Sequence, residues 1–311
     1  MATMNSYDLN GKKLSFANWI SNITPTDTPF VSMTGKEKIK NTVFQWQEDN
    51  LANVDTDNAQ KEGEAIVSMA THTATTERSN TTQILRKIVN VSDSANATDN
   101  YGRTKELQYQ MEKASKEIKR DLEAILLSDQ AKVDGSASVA RKTASVQKLI
   151  AAKDATQTGT GAKVHTETAT SGTITEAELF SATMNLYLAG SEANIIMFHP
   201  SHASFFASLS ETPNAGSSRV LMFDGMSTKF NRYISTLVDP LGQEYRLIPN
   251  RFMPEKRIFI FNPKDWTQMI LREPQRIKLD KKGSYEQYLI EMEVGLRHRN
   301  QFASGLIEIK A

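Results

Sequence analysis

The strongest periodic signal in the chain lies between Arg103 and about Ser128. Leu107, Met111, Ala114, Ile118, Leu122 and Ile125 recur at spacings of four, three, four, four and three residues, which lays one apolar stripe along an amphipathic helix. At about 1.5 Å per residue this helix is a rod of roughly 39 Å. Around the stripe, Arg103, Lys105, Lys113, Lys116, Lys119 and Arg120 alternate with Glu106, Glu112, Glu117, Asp121 and Glu123, several of them close enough to pair on the helix surface. The pattern predicts a helix with one face on a sheet and the rest solvated. A second helix is marked by its cap: Thr175-Glu-Ala-Glu178 is a capping box, in which the Thr175 hydroxyl and the Glu178 carboxylate each satisfy the other residue's backbone N–H. It runs to about Ala189 and stops at Gly190, a residue suited to the left-handed C′ position.

Period-two alternation predicts the strands. In Thr42-Val-Phe-Gln-Trp-Gln47, Val43 and Gln45 share one face and Phe44 and Trp46 the other. A return strand is expected near Ala65 to Ala74, and a β-rich stretch follows from Thr81 to Ser92. Glu48 to Glu64, between strand and return, is polar, acidic and longer than an ordinary hairpin connection. Residues 1–34 carry few periodic apolar positions, and Pro25 and Pro29 bias Thr24 and Thr28 towards extended backbone, so an arm lying on another surface is expected there. Thr156 to Thr175 holds eight Thr and three Gly and reads as a boundary or surface loop without a core. Asn194 to Phe198 is a buried strand, Ser201 to Leu209 a short helix and Thr212 to Ser218 a loop. From Tyr233 the chain is mostly β, with strands at Tyr233–Val238, Tyr245–Ile248, Ile258–Phe261, Thr267–Leu271, Tyr285–Leu296 and Ser304–Ile309. Turns at Asp239-Pro-Leu-Gly242 and Met253-Pro-Glu255 join some of them. This order is not a βαβαβ repeat, so the class is α+β and a doubly wound nucleotide-binding fold is disfavoured.

Composition narrows the function. A chain of 311 residues can bury a large core without a disulfide or metal, and it has no cysteine. That removes thiol nucleophiles, zinc–thiolate sites and iron–sulfur ligation, and suits a reducing compartment. With 37 Lys and Arg against 36 Asp and Glu the net charge is +1, too balanced for a protein whose affinity rests on neutralising many phosphates. The average conceals segregation. From Gln45 to Glu64, six acids oppose Lys61, a net of −5; from Arg272 to Gly283, five bases oppose two acids, a net of +3. No apolar run follows a basic start at the N-terminus, so no secretory signal is expected. Ile195–Phe198 and Ile258–Phe261 fall far short of a membrane span, so a soluble chain is expected.

Candidate chemistry is sparse. His199-Pro-Ser-His202 is the best metal-like pair, because imidazoles three residues apart can share a face; a strand-to-helix junction with a capping Ser explains it better. His72, His165 and His298 are isolated. Neither H-E-x-x-H nor G-x-S-x-G occurs, and Gly159-Thr-Gly-Ala-Lys163 lacks the phosphate-loop spacing. Glu291 and Glu293 share one side of a strand, alternating with Ile290, Met292 and Val294, which reads as a solvated or interface face. The Asn-x-Ser/Thr triplets at Asn22, Asn80, Asn90 and Asn96 read as chance. No catalytic residue, cofactor site or metal site is assigned. The alternative to a structural protein is a soluble hydrolase-type enzyme with a site near His199 and His202.

What chemistry leaves unexplained is an order of parts: an extended arm, a long acidic hairpin, one long helix and a β-rich remainder. That order resembles the HK97-like major capsid proteins of tailed bacteriophages. Thr24-Pro-Thr-Asp-Thr-Pro-Phe30, then Phe44-Gln-Trp46-Gln-Glu-Asp-Asn-Leu51 and Lys61-Glu-Gly63, resemble the SU10-like major head protein family. Leu247-Ile-Pro-Asn-Arg-Phe-Met-Pro254 and Tyr288-Leu-Ile-Glu-Met-Glu-Val-Gly-Leu296 are similar to that family's closing strands.

The resemblance implies an HK97-like phage capsid fold. Its segments would be an N-terminal arm at 1–40, an E-loop hairpin at 41–85, a P-domain at 86–165 and 285–311 with its spine helix at about 103–128, and an A-domain at 166–284. It implies a major head protein that self-assembles, as pentamers and hexamers in hundreds of copies, into an icosahedral or prolate shell around packaged double-stranded DNA. The expected partners are other copies of the chain, a portal, a separate scaffolding protein and DNA held by non-specific contact, without a membrane. The place is the virion, and the host cytoplasm during assembly. The residues expected at contacts between subunits are Phe44 and Trp46 as apolar anchors, Glu48, Asp49, Asp55 and Asp57 on the acidic loop, and Arg272, Arg276, Lys278, Lys281 and Lys282 on the basic stretch, with charge fixing register. Some relatives of the fold cross-link subunits through Lys–Asn isopeptide bonds; no matching Lys, Asn and Glu set is legible here.

Overall fold

The computed structural model describes residues 26–63, 65, 74–98, 105–209 and 234–310. In chain order the first half holds α1 (Pro29–Met33), β1 (Gly35–Lys38), β2 (Val43–Glu48), β3 (Thr76–Thr81), β4 (Gln83–Ser92), α2 (Asp93–Ala97), α3 (Glu106–Leu127), α4 (Val146–Leu149) and β5 (His165–Glu167). The second half holds α5 (Glu176–Leu188), β6 (Ile195–Phe198), α6 (Ala203–Ser208), β7 (Thr236–Val238), β8 (Glu244–Pro249), β9 (Arg257–Phe261), β10 (Trp266–Lys278), β11 (Tyr285–His298) and β12 (Gly305–Glu308). Short 3-10 turns occupy Pro200–His202 and Pro263–Asp265. Mixed sheets and helices bear out the α+β class.

The described residues fall into two units. The larger comprises Thr28–Leu85, Lys119–Pro274 and 292–310; the smaller includes Arg86–Ile118 and Gln275–Glu291. The larger is built on a six-stranded sheet in the order β5-β12-β9-β6-β8-β7. Its middle strands read Ile-Ile-Met-Phe in β6 and Arg-Ile-Phe-Ile-Phe in β9, and every residue of β6 and the last four of β9 are buried. Continuous apolar runs are what strands covered on both faces require. β12 pairs antiparallel with β9 and parallel with β5. α5 lies on it, because Gly305 leaves room for Leu186: a Cβ there would stand 2.8 Å from Leu186 Cδ1. The capping box of α5 forms as expected, and Gly190 closes the helix at φ 76°. Beside the sheet, Phe30, Phe259, Phe261 and Trp266 form an aromatic cluster with ring centroids 4.3–6.1 Å apart.

Several segments differ from their sequence reading. Pro29–Met33, expected to be extended, is a helix whose Phe30 is fully buried. Two residues of sufficient bulk and a buried acceptor from another element replace the periodicity a short helix cannot show. That acceptor is Glu123 on α3: it accepts the Phe30 N–H at 2.9 Å and the Val31 N–H at 2.8 Å. Glu123 is fully buried rather than part of a solvated face. The helix stripe itself holds at Ala114, Ile118 and Leu122, and turns to Leu126 and Leu127 at the end. The Thr-rich stretch does supply core: Ala162, Val164 and Thr168 are buried and β5 forms an edge of the main sheet. β10 extends to Lys278, well past Leu271. Residues 66–73 of the expected return strand and the loop at Thr212–Ser218 lie outside the described residues, as do residues 1–25; the return strand described here is β3.

Within the smaller unit, the segment joining β10 to β11 is fastened by ion pairs and backbone. Lys278 meets Glu286 at 3.0 Å, Lys281 meets Asp93 at 2.6 Å, and the Leu279 N–H donates to the Gln287 carbonyl. No described helix is long and apolar enough to cross a membrane.

Candidate functional site

The β2–β3 hairpin pairs antiparallel from Val43 opposite Thr81 to Glu48 opposite Thr76. The alternation read from the sequence holds, with Phe44 and Glu48 buried, Trp46 half-buried, and Val43, Gln45 and Gln47 exposed. Phe44 and Trp46 stack at 6.2 Å with planes 23° apart. Phe44 reaches β11: a Cβ on Gly295 would lie 2.5 Å from its Cε1, so glycine is what lets the hairpin base approach that strand. The Trp46 indole N–H donates to Glu48 at 3.1 Å, and Arg78 stands 3.5 Å from the same carboxylate. Phe44 and Glu48 are therefore held within their own subunit. Leaving β2, the chain from Asp49 to Gly63 is exposed throughout. Asp49, Asp55 and Asp57 stand in solvent among Leu51, 89% exposed, and Val54, 83% exposed. Local bonds shape this loop: Asp49 accepts the Asn50 N–H and Asp55 the Asp57 N–H, each at 2.9 Å.

The hairpin is pinned by two buried polar centres. Asn80, fully buried, donates through Nδ2 to the Leu296 carbonyl at 2.7 Å and to Thr143 Oγ1 at 3.1 Å, while its Oδ1 accepts the Ala144 and Thr81 N–H groups. Glu293, 3% exposed, accepts from Thr82 Oγ1 at 2.7 Å, Arg141 at 2.6 Å and Arg272 at 2.9 Å. The reading of Glu293 as part of a solvated or interface face is thus corrected. β11 is covered on both faces from Met292 to Leu296, so its alternation no longer reports which side is wet. Neither centre was legible in advance, because each partner comes from a distant part of the sequence.

The expected basic stretch divides. Arg272 bonds to Glu293, Lys278 to Glu286 and Lys281 to Asp93. The Glu286 bond raises the Lys278 pKa, and the Lys281 bond is the foremost cause lowering that of Asp93. Arg276 and Lys282 are exposed. The two histidines of the metal-like pair do separate work. His199 caps the 3-10 turn, its Nδ1 2.8 Å from Ser201 Oγ and accepting the Ser201 N–H, so the cap is the histidine and not a serine. His202 contacts the Glu255 carbonyl. Among the described residues no group of three or more His, Asp or Glu is placed to hold a metal. His298 is fully buried, stacked on Trp266 at 3.9 Å and bonded to Ser304 Oγ at 2.9 Å.

The β2–β3 hairpin thus carries an exposed acidic loop on a base pinned by Asn80 and Glu293. The sequence matches the SU10 major capsid protein family over residues 3–311. The chain belongs to that family. It is 49% identical over 339 aligned positions to the major capsid protein of Escherichia phage Phieco32, covering 97% of this chain and 95% of that one. The fold also matches solved capsids at low identity. A GTA particle capsid aligns with a TM-score of 0.68 at 13% identity, covering 98% of both chains. The cyanophage A-1(L) capsid aligns at 0.68 and 11%, again over 98% of both. The SrpI encapsulin of Synechococcus elongatus aligns at 0.60 and 11%, over 99% of this chain and 96% of that one. These bear out the HK97-like capsid fold and the resemblance to the SU10-like family. This is a phage major capsid protein, a shell component of the virion built from many copies, and the family points to a structural role.

Proposed function

We propose that this capsid protein forms the wall of a tailed-phage head around double-stranded DNA, as pentamers and hexamers in hundreds of copies. In this reading residues 1–40 are the N-terminal arm, 41–85 with the β2–β3 hairpin are the E-loop, 86–165 and 285–311 are the P-domain with α3 as its spine helix, and 166–284 make the A-domain. A portal and a separate scaffolding protein complete the head, and assembly takes place in the host cytoplasm. The loop at 49–63 docks on the exposed basic stretch of an adjacent copy, Asp49, Asp55 and Asp57 facing Arg276 and Lys282. Trp46, half-buried at the loop's root, borders this contact. Phe44, Glu48, Arg272, Lys278 and Lys281 support it from within their own subunit.

The observation carrying the docking is the loop itself: two large apolar side chains, Leu51 and Val54, stand almost fully in solvent between carboxylates, on a hairpin whose base is fixed by Asn80 and Glu293. Exposed apolar groups ringed by charge mark a contact surface. Electrostatic complementarity of this kind sets register and partner choice. Charge reversal tests it. Asp55→Lys with Asp57→Lys should abolish closed shells seen by electron microscopy while leaving the subunit's circular dichroism unchanged, and adding Arg276→Glu with Lys282→Glu should restore them. Shells at wild-type yield from the acidic-loop variant would sink the docking.

A further inference from the structure

A second surface lies on the six-stranded side of the larger unit. Past the C-terminal end of α5, a pocket of about 270 Å³ is lined by Gln157, Glu192, Asp265, Arg299 and Asn300 together with the backbone at Gly190. Asp265 ends the 3-10 turn that leads into β10. Its side chain is only 9% exposed, yet its carboxylate accepts no hydrogen bond among the described residues; the nearest cation is Arg299, 80% exposed and 3.8 Å away. Burial holds the Asp265 carboxyl above its ordinary range, with Arg299 pulling it down and Glu192 pushing it up. Most buried carboxylates are paired or hydrogen-bonded, as Glu123 and Glu293 are, because an unmet one works against the fold. The surroundings add to the negative field: Glu192 is exposed at the rim, and the last carbonyls of a 13-residue helix end beside it.

Ala189, Phe302 and Ala303 complete the lining. A polar pocket with a negative floor fits one kind of visitor: a long basic side chain whose head reaches the carboxylate.

We propose that this pocket is a docking site for a lysine or arginine side chain of a second copy of this chain. The inference rests on the capsid reading, under which further copies are the partner present in excess, and on charge: the chain carries exposed bases such as Lys36, Arg251 and Lys256 to meet a buried, hydrogen-bond-deficient acid. Docking gives Asp265 the charge-assisted bonds it lacks in the single subunit.

The test separates assembly from folding. Asp265→Asn keeps the shape and removes the charge. Its unassembled subunit should melt at or above the wild-type temperature, since a buried charge faced only by the exposed Arg299 is gone, while the concentration needed for shell formation should rise about tenfold or more. Glu192→Gln, at the exposed rim, should likewise impair assembly without lowering the subunit's melting temperature. Asp265→Asn shells forming at the wild-type concentration would overturn the proposal, as would a lower melting temperature for either variant's subunit, which would place the group's role inside its own chain. Failure of the wild-type chain to form shells at all would strike the capsid reading instead.

Discussion

Asn80 shows how much one side chain can hold. Both ends of its amide are used, by the Leu296 carbonyl and Thr143 hydroxyl on one side and by the Thr81 and Ala144 N–H groups on the other. Truncation to alanine strands buried backbone groups on three segments, at about 1–3 kcal/mol for each group left unmet. Asn80→Ala is expected to lose about 3 kcal/mol in urea unfolding of the unassembled subunit; a loss below 1 kcal/mol would show that water replaces the amide. His298 makes a prediction in pH. Burial takes its pKa from 6.5 down to about 3, opposed only by the Leu149 carbonyl. The folded chain therefore keeps the ring neutral while the unfolded chain takes up a proton below 6.5. The group's stability is intact above that pH and lost as pH falls towards 3, at up to about 1.4 kcal/mol per unit. His298→Gln should flatten the acid limb of a stability-versus-pH curve between those values, whatever it does at neutral pH; an unchanged slope would contradict this. In the sequence both residues were nearly silent. Asn80 looked like one of four chance triplets and His298 like an isolated ring, because a satisfied buried polar group has no periodicity and its partners lie tens to hundreds of residues away.

Among the elements, legibility followed locality. α3 and α5 could be read because a stripe and a capping box are written in consecutive residues, and β6 and β9 because a strand covered on both faces is an unbroken apolar run. α1 could not. Five residues make little more than one turn, and what holds them is Glu123, 93 residues further on, together with aromatic rings of β9 and β10. Desolvation raises the Glu123 pKa against the two N–H groups, Asn250 and Lys119. Phe30 is the apolar half of the same anchor, with rings of Phe259, Phe261 and Trp266 at 5.6–6.1 Å. Phe30→Ala should cost about 3–5 kcal/mol, read as a large fall in the subunit's melting temperature. A fall of only a degree or two would mean that α1 is dispensable to the core. β5 was missed for the reason opposite to α1: its Thr-rich composition looks like a linker, and only pairing with β12 turns it into sheet.

At the scale of the whole molecule, the order of parts and a few short motifs were enough for the family, and the family for the role. Charge was legible as segregation, not as partnership. The basic stretch looked like one patch, whereas Arg272, Lys278 and Lys281 are spent on internal carboxylates and only Arg276 and Lys282 of the five stand clear of such pairs among the described residues. The six-stranded sheet carries one further consequence. β12 sits between β5 and β9 in space, yet it is made after both. A ribosome that stops before Gly305 leaves β5 with no neighbour in the sheet and β9 with an open edge, an invitation to pair with the wrong strand. Closure of this sheet therefore waits until β12 is available, and a copy lacking β12 keeps two unpaired strand edges.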